Sequence, residues 1–301
     1  MENNLKKSFW QLELKLLEKD KIDVIEFFNE SGALGYHEVL YEENVTNNLQ
    51  SDYHILNFYF NENFPIKPFL IMSMTLLKVE DYKSELSLVK YEDFLKSFQE
   101  TFRKFKISDK IWILPPWDSK LENKEDIGII INPSFAFGTG KHETTVLMAE
   151  YLSRKSLDGL SIVDMGCGSG ILSLIALKLG AKSVMGIDVE NLSVESAQSN
   201  FLLNKEAGIL KTGAQFIEGD FSTYETLTQD HPCDIFLANI IPGVFYQNKS
   251  DLQKWINHST GWALSGIAEN QIEKFKKWLE EVLPDSEYAI AENNGWFIIY
   301  R

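Results

Sequence analysis

Cysteine is nearly absent: Cys167 and Cys233 are the two present in 301 residues, too few for a disulfide framework and without any zinc-ligand spacing. Free thiols and no structural metal are expected. Long apolar runs are missing too. No stretch approaches the ~18 residues that a membrane-spanning helix needs, and Met1–Lys7 is polar, without an apolar segment and cleavage site. The expectation is a cytoplasmic protein with no membrane association. Basic residues are outnumbered, 29 Lys and Arg against 44 Asp and Glu, for a formal charge of −15. Nucleic-acid binding relies on Lys and Arg displacing condensed counterions, so this balance opposes a direct nucleic-acid partner and suits a basic one. Solubility alone is an equal account of the sign. Internal repeats and low-complexity stretches are absent as well.

The composition that remains, 44% hydrophobic and 24% charged with 7 Trp and 20 Phe, can fill sizeable cores. Single cores usually stop growing near about 250 residues, so two domains are expected. SFWQLELKLL, from Ser8 to Leu17, alternates apolar and polar residues and predicts a half-buried strand. An amphipathic helix follows from Asp20 to Ser31, Gly32 stops it, and Gly35 to Tyr41 resumes strand character. His54 to Phe60 reads as a further strand and Met74 to Val79 as another, after a connection interrupted by Pro65 and Pro68. These elements predict an α+β domain of ferredoxin-like type over 1–88. Tyr91 to Phe105 reads as a helix and Lys110 to Leu114 as a short strand, which makes 89–125 a connector.

Over 126–301 short apolar strands alternate with longer helices: SIVDMG, the helix from Ile171 to Leu179, SVMGID, the helix from Leu192 to Asn204, AQFIEGD, DIFLAN, WALSGI and the helix from Gln271 to Leu283. That alternation implies crossover connections and a parallel α/β sheet. YAIAE, Asn293-Asn294-Gly295 and WFIIY then form a hairpin pattern, hence an antiparallel C-terminal edge.

Within this half, Val163-Asp164-Met165-Gly166-Cys167-Gly168-Ser169-Gly170 closes a strand and opens a helix. Gly166 and Gly168 let the backbone turn sharply and approach a ligand. NAD-binding folds carry such loops too, but the Gly-x-Gly-x-Gly spacing after an acid inside the strand points away from a pyrophosphate site. Asp164 is placed to meet an amino acid moiety, directly or through water. Asp188 lies eighteen positions past Gly170, at a strand end where a carboxylate accepts from both hydroxyls of a ribose, or else caps a helix. Asp220 ends the next strand, within reach of an adenine amino group or as an ordinary loop acid. Asn239, in Ala238-Asn239-Ile240-Ile241-Pro242-Gly243, offers a side-chain carbonyl to a substrate nitrogen or to the cofactor; an Asx turn before Pro242 is the alternative.

Asn132-Pro133-Ser134-Phe135-Ala136-Phe137-Gly138-Thr139-Gly140-Lys141-His142-Glu143-Thr144-Thr145 is the most specific segment. It fails as a phosphate-binding P-loop, since Phe135 stands where the first glycine is required and His142 replaces Ser or Thr. It resembles instead the signature AFGTGxHxTT of the ribosomal protein L11 methyltransferase family. The resemblance continues through GCGSGILSLIALKLGA, GIDVE, ANI and ALSGI, covering about Ile111 to Ile267, and departs at Ser134 and Pro242. It implies a class I methyltransferase with a Rossmann-like sheet, S-adenosylmethionine as cofactor, and Thr145, Gly166, Asp188 and Asn239 as cofactor-binding positions, to which the reading of the glycine loop adds Gly168. His142 falls on a family position near the methyl group, which implies a catalytic role; a helix cap is the alternative. The implied substrate is a basic ribosomal protein whose lysine or α-amino groups are methylated, the implied enzyme a monomer, and the N-terminal domain its substrate clamp. A different protein or small molecule as acceptor, and a non-catalytic cofactor-binding protein, are the competing readings.

Overall fold

Strict alternation makes Ser8–Leu17 (β1) a strand in which Leu12, Leu14 and Leu16 are completely buried while Gln11, Glu13 and Lys15 are not. The computed structural model describes residues 8–33, 35–38, 53–90, 93, 96, 102–132, 140–210, 213–227, 232–284 and 286–301. By its internal contacts the chain divides into two units, Met1–Thr101 and Phe102–Arg301.

In the first unit β1 is followed by α1 (Glu18–Glu30), β2 (Gly35–Glu38), β3 (Tyr53–Asn61), α2 (Ile66–Leu76) and β4 (Tyr82–Lys90). The sheet runs β2-β3-β1-β4, with every neighbouring pair antiparallel. Phe28 of α1, Phe58 and Phe60 of β3 and Phe69 of α2 meet at its centre, with ring centroids 4.7 to 6.1 Å apart. Tilted and edge-on pairs at that separation bring the positive ring edge to a negative face. The strand expected over Met74 to Val79 is not one. Its first residues belong to α2, and the strand is Tyr82–Lys90 instead. Pro65 precedes this helix and Pro68 lies in its first turn, where a missing N–H costs nothing because those donors have no partner within the helix.

The second unit opens with β5 (Phe105–Lys106), β6 (Ile111–Leu114) and β7 (Ile127–Ile130), a three-stranded sheet in which β6 and β7 are parallel. Residues 102–125, assigned above to a connector, thus hydrogen-bond into this unit. Of the helix expected over Tyr91 to Phe105, residues 91, 92, 94, 95 and 97–101 lie outside the described ones, and at its far end Phe105 opens β5. Then come α3 (Glu143–Ser153), β8 (Ser161–Met165), α4 (Ile171–Lys178), β9 (Ser183–Asp188), α5 (Asn191–Glu206), β10 (Gly213–Glu218), α6 (Tyr224–Leu227), β11 (Ile235–Asn239), α7 (Pro242–Gln247), α8 (Lys249–His258), β12 (Gly261–Ala268), α9 (Glu269–Val282), β13 (Ala289–Asn293) and β14 (Trp296–Tyr300). Their sheet runs β10-β9-β8-β11-β12-β14-β13, parallel through β12, with β14 antiparallel to both its neighbours. Asn294 and Gly295, both at positive φ, make the two-residue turn into β14, the geometry that matches strand twist. Val163, Met165, Phe236, Ala238, Trp262 and Leu264 bury one face of the sheet against α7, α8 and α9. Among the described residues no helix is long and apolar enough to cross a membrane.

Two buried asparagines on α5 join these layers. Asn204 mimics a strand neighbour for Ile130: its Oδ1 accepts the Ile130 N–H at 2.8 Å and its Nδ2 donates to the Ile130 carbonyl at 2.6 Å. One turn earlier, Asn200 donates to the Ser169 carbonyl at 2.9 Å and accepts the Asn132 N–H at 2.9 Å. Replacing Asn204 with Leu keeps the volume but leaves buried backbone groups of Ile130 unpaired, so chemical denaturation should show a loss of about 2–4 kcal/mol. An unchanged midpoint would show that α5 does not anchor β7.

Candidate functional site

In register, Met165 lies level with Ile187 on one side and Ala238 on the other, so the next residues, Gly166, Asp188 and Asn239, meet at the carboxyl ends of three adjacent strands. Here the strand order reverses, since β8 leads to β9 and β10 on one side and to β11 and β12 on the other. Diverging crossovers open a crevice above such a switch point.

The loop after β8 turns through three residues at positive φ, Gly166, Gly168 and Gly170. The Gly166 and Cys167 N–H groups both donate to the Ile187 carbonyl, at 2.8 and 3.1 Å. Asp188 is fastened to the same loop: its Oδ2 accepts the Gly168 N–H at 2.9 Å and its Oδ1 the Glu190 N–H at 3.0 Å. Burial raises its carboxyl pKa, against the backbone hydrogen bonds from Glu190, Gly168 and Val189 that lower it. Each carboxylate oxygen has a second lone pair, so the anchored group retains acceptor capacity.

Asp164 lies deeper, only 1% exposed. Its Oδ2 accepts from Ser173 twice, from Oγ at 2.6 Å and from the backbone N–H at 3.1 Å. Ser173 is the third residue of α4, whose preceding residue Gly170 has no side chain to cap it, so Asp164 satisfies one of the helix's open donors from across the strand. Its other oxygen, Oδ1, is buried without a hydrogen-bond partner among the described residues. Burial pushes the Asp164 carboxyl up to about 6; Ser173 opposes that shift and the charge of Asp188 adds to it. A buried anionic oxygen without a donor is costly, and a cation or an N–H donor is the kind of group that satisfies it.

On the β11 side, Ile240 is wedged between two glycines. A Cβ on Gly166 would come within 2.3 Å of Ile240 Cγ2, and one on Gly266 within 2.2 Å of the Ile240 carbonyl oxygen. Gly266, at φ 89°, sits where β12 shifts register against β14 between Ser265 and Ile267, and the Ile240 N–H donates to the Ser265 carbonyl at 3.2 Å. The bulge thus sets how far the Asn239–Pro242 segment stands from the glycine loop. Missing side chains at Gly166 and Gly266 make room for Ile240, a constraint the motif reading did not include. The signal was available, because an isolated glycine inside a strand marks a bulge or a close backbone approach.

Thr145 is buried in the first turn of α3, its N–H donating to the His142 carbonyl at 2.9 Å. His142 is the N-cap of that helix. Its Nδ1 accepts the Thr144 N–H at 3.3 Å and lies 2.8 Å from Thr144 Oγ1, and its ring stands edge-on to Trp296 at 4.5 Å. Lys141 places its ammonium over the rings of Phe102 and Phe105, 5.4 and 5.5 Å away. Ser134, Phe135 and Phe137 lie outside the described residues. Asp220 is exposed and caps the short turn Phe221–Thr223, accepting from Ser222 N–H and Oγ, bonds that lower its pKa. Cys167 and Cys233 are free and buried, and burial raises both thiol pKa values, Cys233 to about 12. Neither forms thiolate at neutral pH.

The sequence model of the family described as ribosomal protein L11 methyltransferase (PrmA) matches residues 8–301. The chain is similar to the ribosomal protein L11 methyltransferase of Shewanella denitrificans, 28% identical over 67% of this chain and 66% of that protein. With that of Shewanella woodyi the figures are 30% identity over 73% of this chain and 70% of that protein. Among solved structures it is similar to a ribosomal protein L11 methylase from Lactobacillus delbrueckii subsp. bulgaricus, with a TM-score of 0.54 and 25% identity over 66% of this chain and 97% of that chain. The mixed α/β sheet is that of the class I methyltransferases.

Gly266→Ala tests the wedge. The new Cβ must displace the Ile240 backbone, and an alanine at positive φ adds strain, for a combined loss of about 2–4 kcal/mol in thermal unfolding. Gly159, at φ 77° with nothing within 4 Å of a Cβ, is the matched control. An equal loss in Gly159→Ala would show that strain alone, and not the contact with Ile240, accounts for the effect.

Proposed function

Since the chain belongs to the ribosomal protein L11 methyltransferase family, we propose that it is an S-adenosylmethionine-dependent N-methyltransferase acting on lysine or α-amino groups of that ribosomal protein. The observation that carries this reading is the pair of buried carboxylates under one glycine loop, Asp188 with acceptor capacity left and Asp164 with Oδ1 unpartnered among the described residues. Two such acceptors suit a molecule with a ribose at one end and an ammonium at the other. In this assignment Asp188 accepts from the ribose hydroxyls, Asp164 holds the amino acid moiety, Gly166 and Gly168 give close backbone approach, and Thr145 and Asn239 complete the cofactor set. Asp220 is assigned to the adenine end.

When bound, S-adenosylmethionine supplies an electrophilic methyl group on a sulfonium. The protein's task is to align an amine with it. A lysine amine with a reference pKa near about 10.4 arrives mostly protonated, and entry into an apolar funnel lowers that pKa. The half-buried Ile240 gives such a wall next to Asn239, whose side-chain carbonyl accepts an amine N–H and directs the lone pair. Dissociation and re-entry of the same amine would permit repeated methylation. His142 already uses Nδ1 in capping α3, so its place in the reaction is to hold the helix that carries Thr145.

We assign the first unit, 1–101, to recognition of the protein substrate, with a ferredoxin-like plan suggested by its β-α-β-β-α-β order and strand sequence. Action as a cytoplasmic monomer, on a basic protein and without direct contact to nucleic acid, belongs to the same reading.

Labelled S-adenosylmethionine and ribosomal protein L11 from a methylation-deficient source, followed by mass spectrometry, test it. Stepwise methyl addition to specific amines is expected. Asp188→Ala should weaken S-adenosylmethionine binding by roughly 2 kcal/mol or more, through loss of charge-assisted hydrogen bonds. Cofactor binding without transfer to the ribosomal protein would overturn the substrate assignment, and unchanged affinity in folded Asp188→Ala would overturn the ribose assignment.

A further inference from the structure

Glycine adopts either sign of φ at little cost, so a loop with Gly166, Gly168 and Gly170 at alternate positions does not hold one shape by itself. Hydrogen bonds from outside must select it. Toward β9 they run from N–H groups, Gly166 and Cys167 to the Ile187 carbonyl and Gly168 to Asp188. Within the loop, the Gly170 N–H closes a turn onto the Cys167 carbonyl at 2.8 Å. The peptide between Ser169 and Gly170 is then the one free to rotate, with Gly168 at φ 53° and Gly170 at φ 79° on either side. Its carbonyl is taken by Asn200 Nδ2, 2.9 Å away.

Asn200 stands on α5 between Ala197 and Asn204, all three buried along one face at i, i+3 and i+7. Ala197 lies against Gly170, where a Cβ would come within 3.0 Å of the Ala197 Cβ. Asn204 holds both backbone groups of Ile130. Asn200, 1% exposed, divides its amide between the two neighbourhoods, since its Oδ1 accepts the Asn132 N–H at 2.9 Å. The same helix starts beside Asp188, whose Oδ1 accepts the N–H of its N-cap Glu190. A leucine in place of Asn200 would fill the space and hold neither backbone group.

We propose that Asn200 is a positioning residue for methyl transfer. Through the Ser169 carbonyl it keeps the glycine turn in the shape that receives S-adenosylmethionine, and through the Asn132 N–H it keeps that turn in register with the chain leaving β7. This rests on the reading of the chain as an S-adenosylmethionine-dependent methyltransferase. Its action runs through backbone groups, and what it contributes is preorganisation: a turn already held loses less freedom when the ligand arrives.

The test compares full-length wild type, Asn200→Ala, Asn200→Asp and Asn204→Ala by calorimetric titration with S-adenosylmethionine, beside thermal unfolding. Asn200→Ala is expected to bind at least about tenfold more weakly at neutral pH. Asn204→Ala, a loss of equally buried hydrogen bonds, is expected to lower the thermal midpoint as much and to keep affinity within about twofold. In Asn200→Asp a protonated carboxyl donates and accepts as the amide does, whereas the ionised form repels the Ser169 carbonyl. Its affinity relative to wild type should therefore approach one near about pH 5 and fall toward about pH 8. Asp164 and Asp188 titrate in both proteins, so the ratio isolates the new carboxyl. Wild-type affinity in Asn200→Ala overturns the proposal, as does an equal loss of affinity in Asn204→Ala or an Asn200→Asp no better than Asn200→Ala near about pH 5. The expected affinities in a chain that transfers no methyl group to ribosomal protein L11 would support the positioning role while refuting the substrate reading, so the two failures are distinct.

Discussion

The candidate site depends on a carboxylate held where water cannot reach it. Asp164 stands inside the strand β8, beneath the glycine loop, with one oxygen committed to Ser173 and the other without a hydrogen-bond partner among the described residues. Its pKa is raised from 3.8 to about 6, chiefly by burial. A carboxyl whose folded pKa is raised stabilises the fold fully below its unfolded value, and that contribution is lost as pH rises through the folded value. Between about pH 4 and pH 6, then, ionisation of Asp164 costs folding free energy. At neutral pH the ionised Asp164 has no opposite charge paired with it among the described residues, and a cationic ligand is the kind of group that would offset the cost.

Around this charge the backbone is arranged so that few side chains intervene. Gly168 donates to Asp188, Gly166 leaves its side vacant for Ile240, and Gly266 leaves its own for the Ile240 carbonyl. Strands β9, β8 and β12 are thereby tied to the segment carrying Asn239. Asn200 of α5 extends the linkage to Asn132, by bonding both the Ser169 carbonyl and the Asn132 N–H. The glycine loop and the segments carrying Asn239 and Asn132 are therefore positioned by shared contacts, the kind of arrangement that an in-line transfer between two bound molecules needs.

Much of this was legible in the chain itself because strand alternation and glycine spacing are local properties. The short apolar runs SIVDMG and SVMGID, each followed by a helix pattern, put Asp164 and Asp188 near strand ends, and registration in the sheet then brought Gly166, Asp188 and Asn239 level. Less legible were features decided by neighbours distant in sequence. Met74 to Val79 has the apolar content of a strand, but the first turn holding Pro68 had already committed the preceding residues to a helix, and YKSELSLVK, more polar, took the sheet edge beside β1. The wedge of Ile240 between Gly166 and Gly266 links residues far apart in the chain, and only the strand glycine hinted at it. His142 had two open readings, and its cap geometry follows from the position of Thr144 two residues on.

The buried carboxylate gives the most direct measurement. Calorimetric titration with S-adenosylmethionine from about pH 5 to about pH 8 compares wild type with Asp164→Asn. If Asp164 holds the ligand's ammonium, wild-type affinity weakens as pH falls through about 6, while the variant binds more weakly at neutral pH and loses most of that dependence, keeping the part due to Asp188. Wild-type affinity that does not change with pH, or a variant that binds as wild type does at neutral pH, would contradict the account.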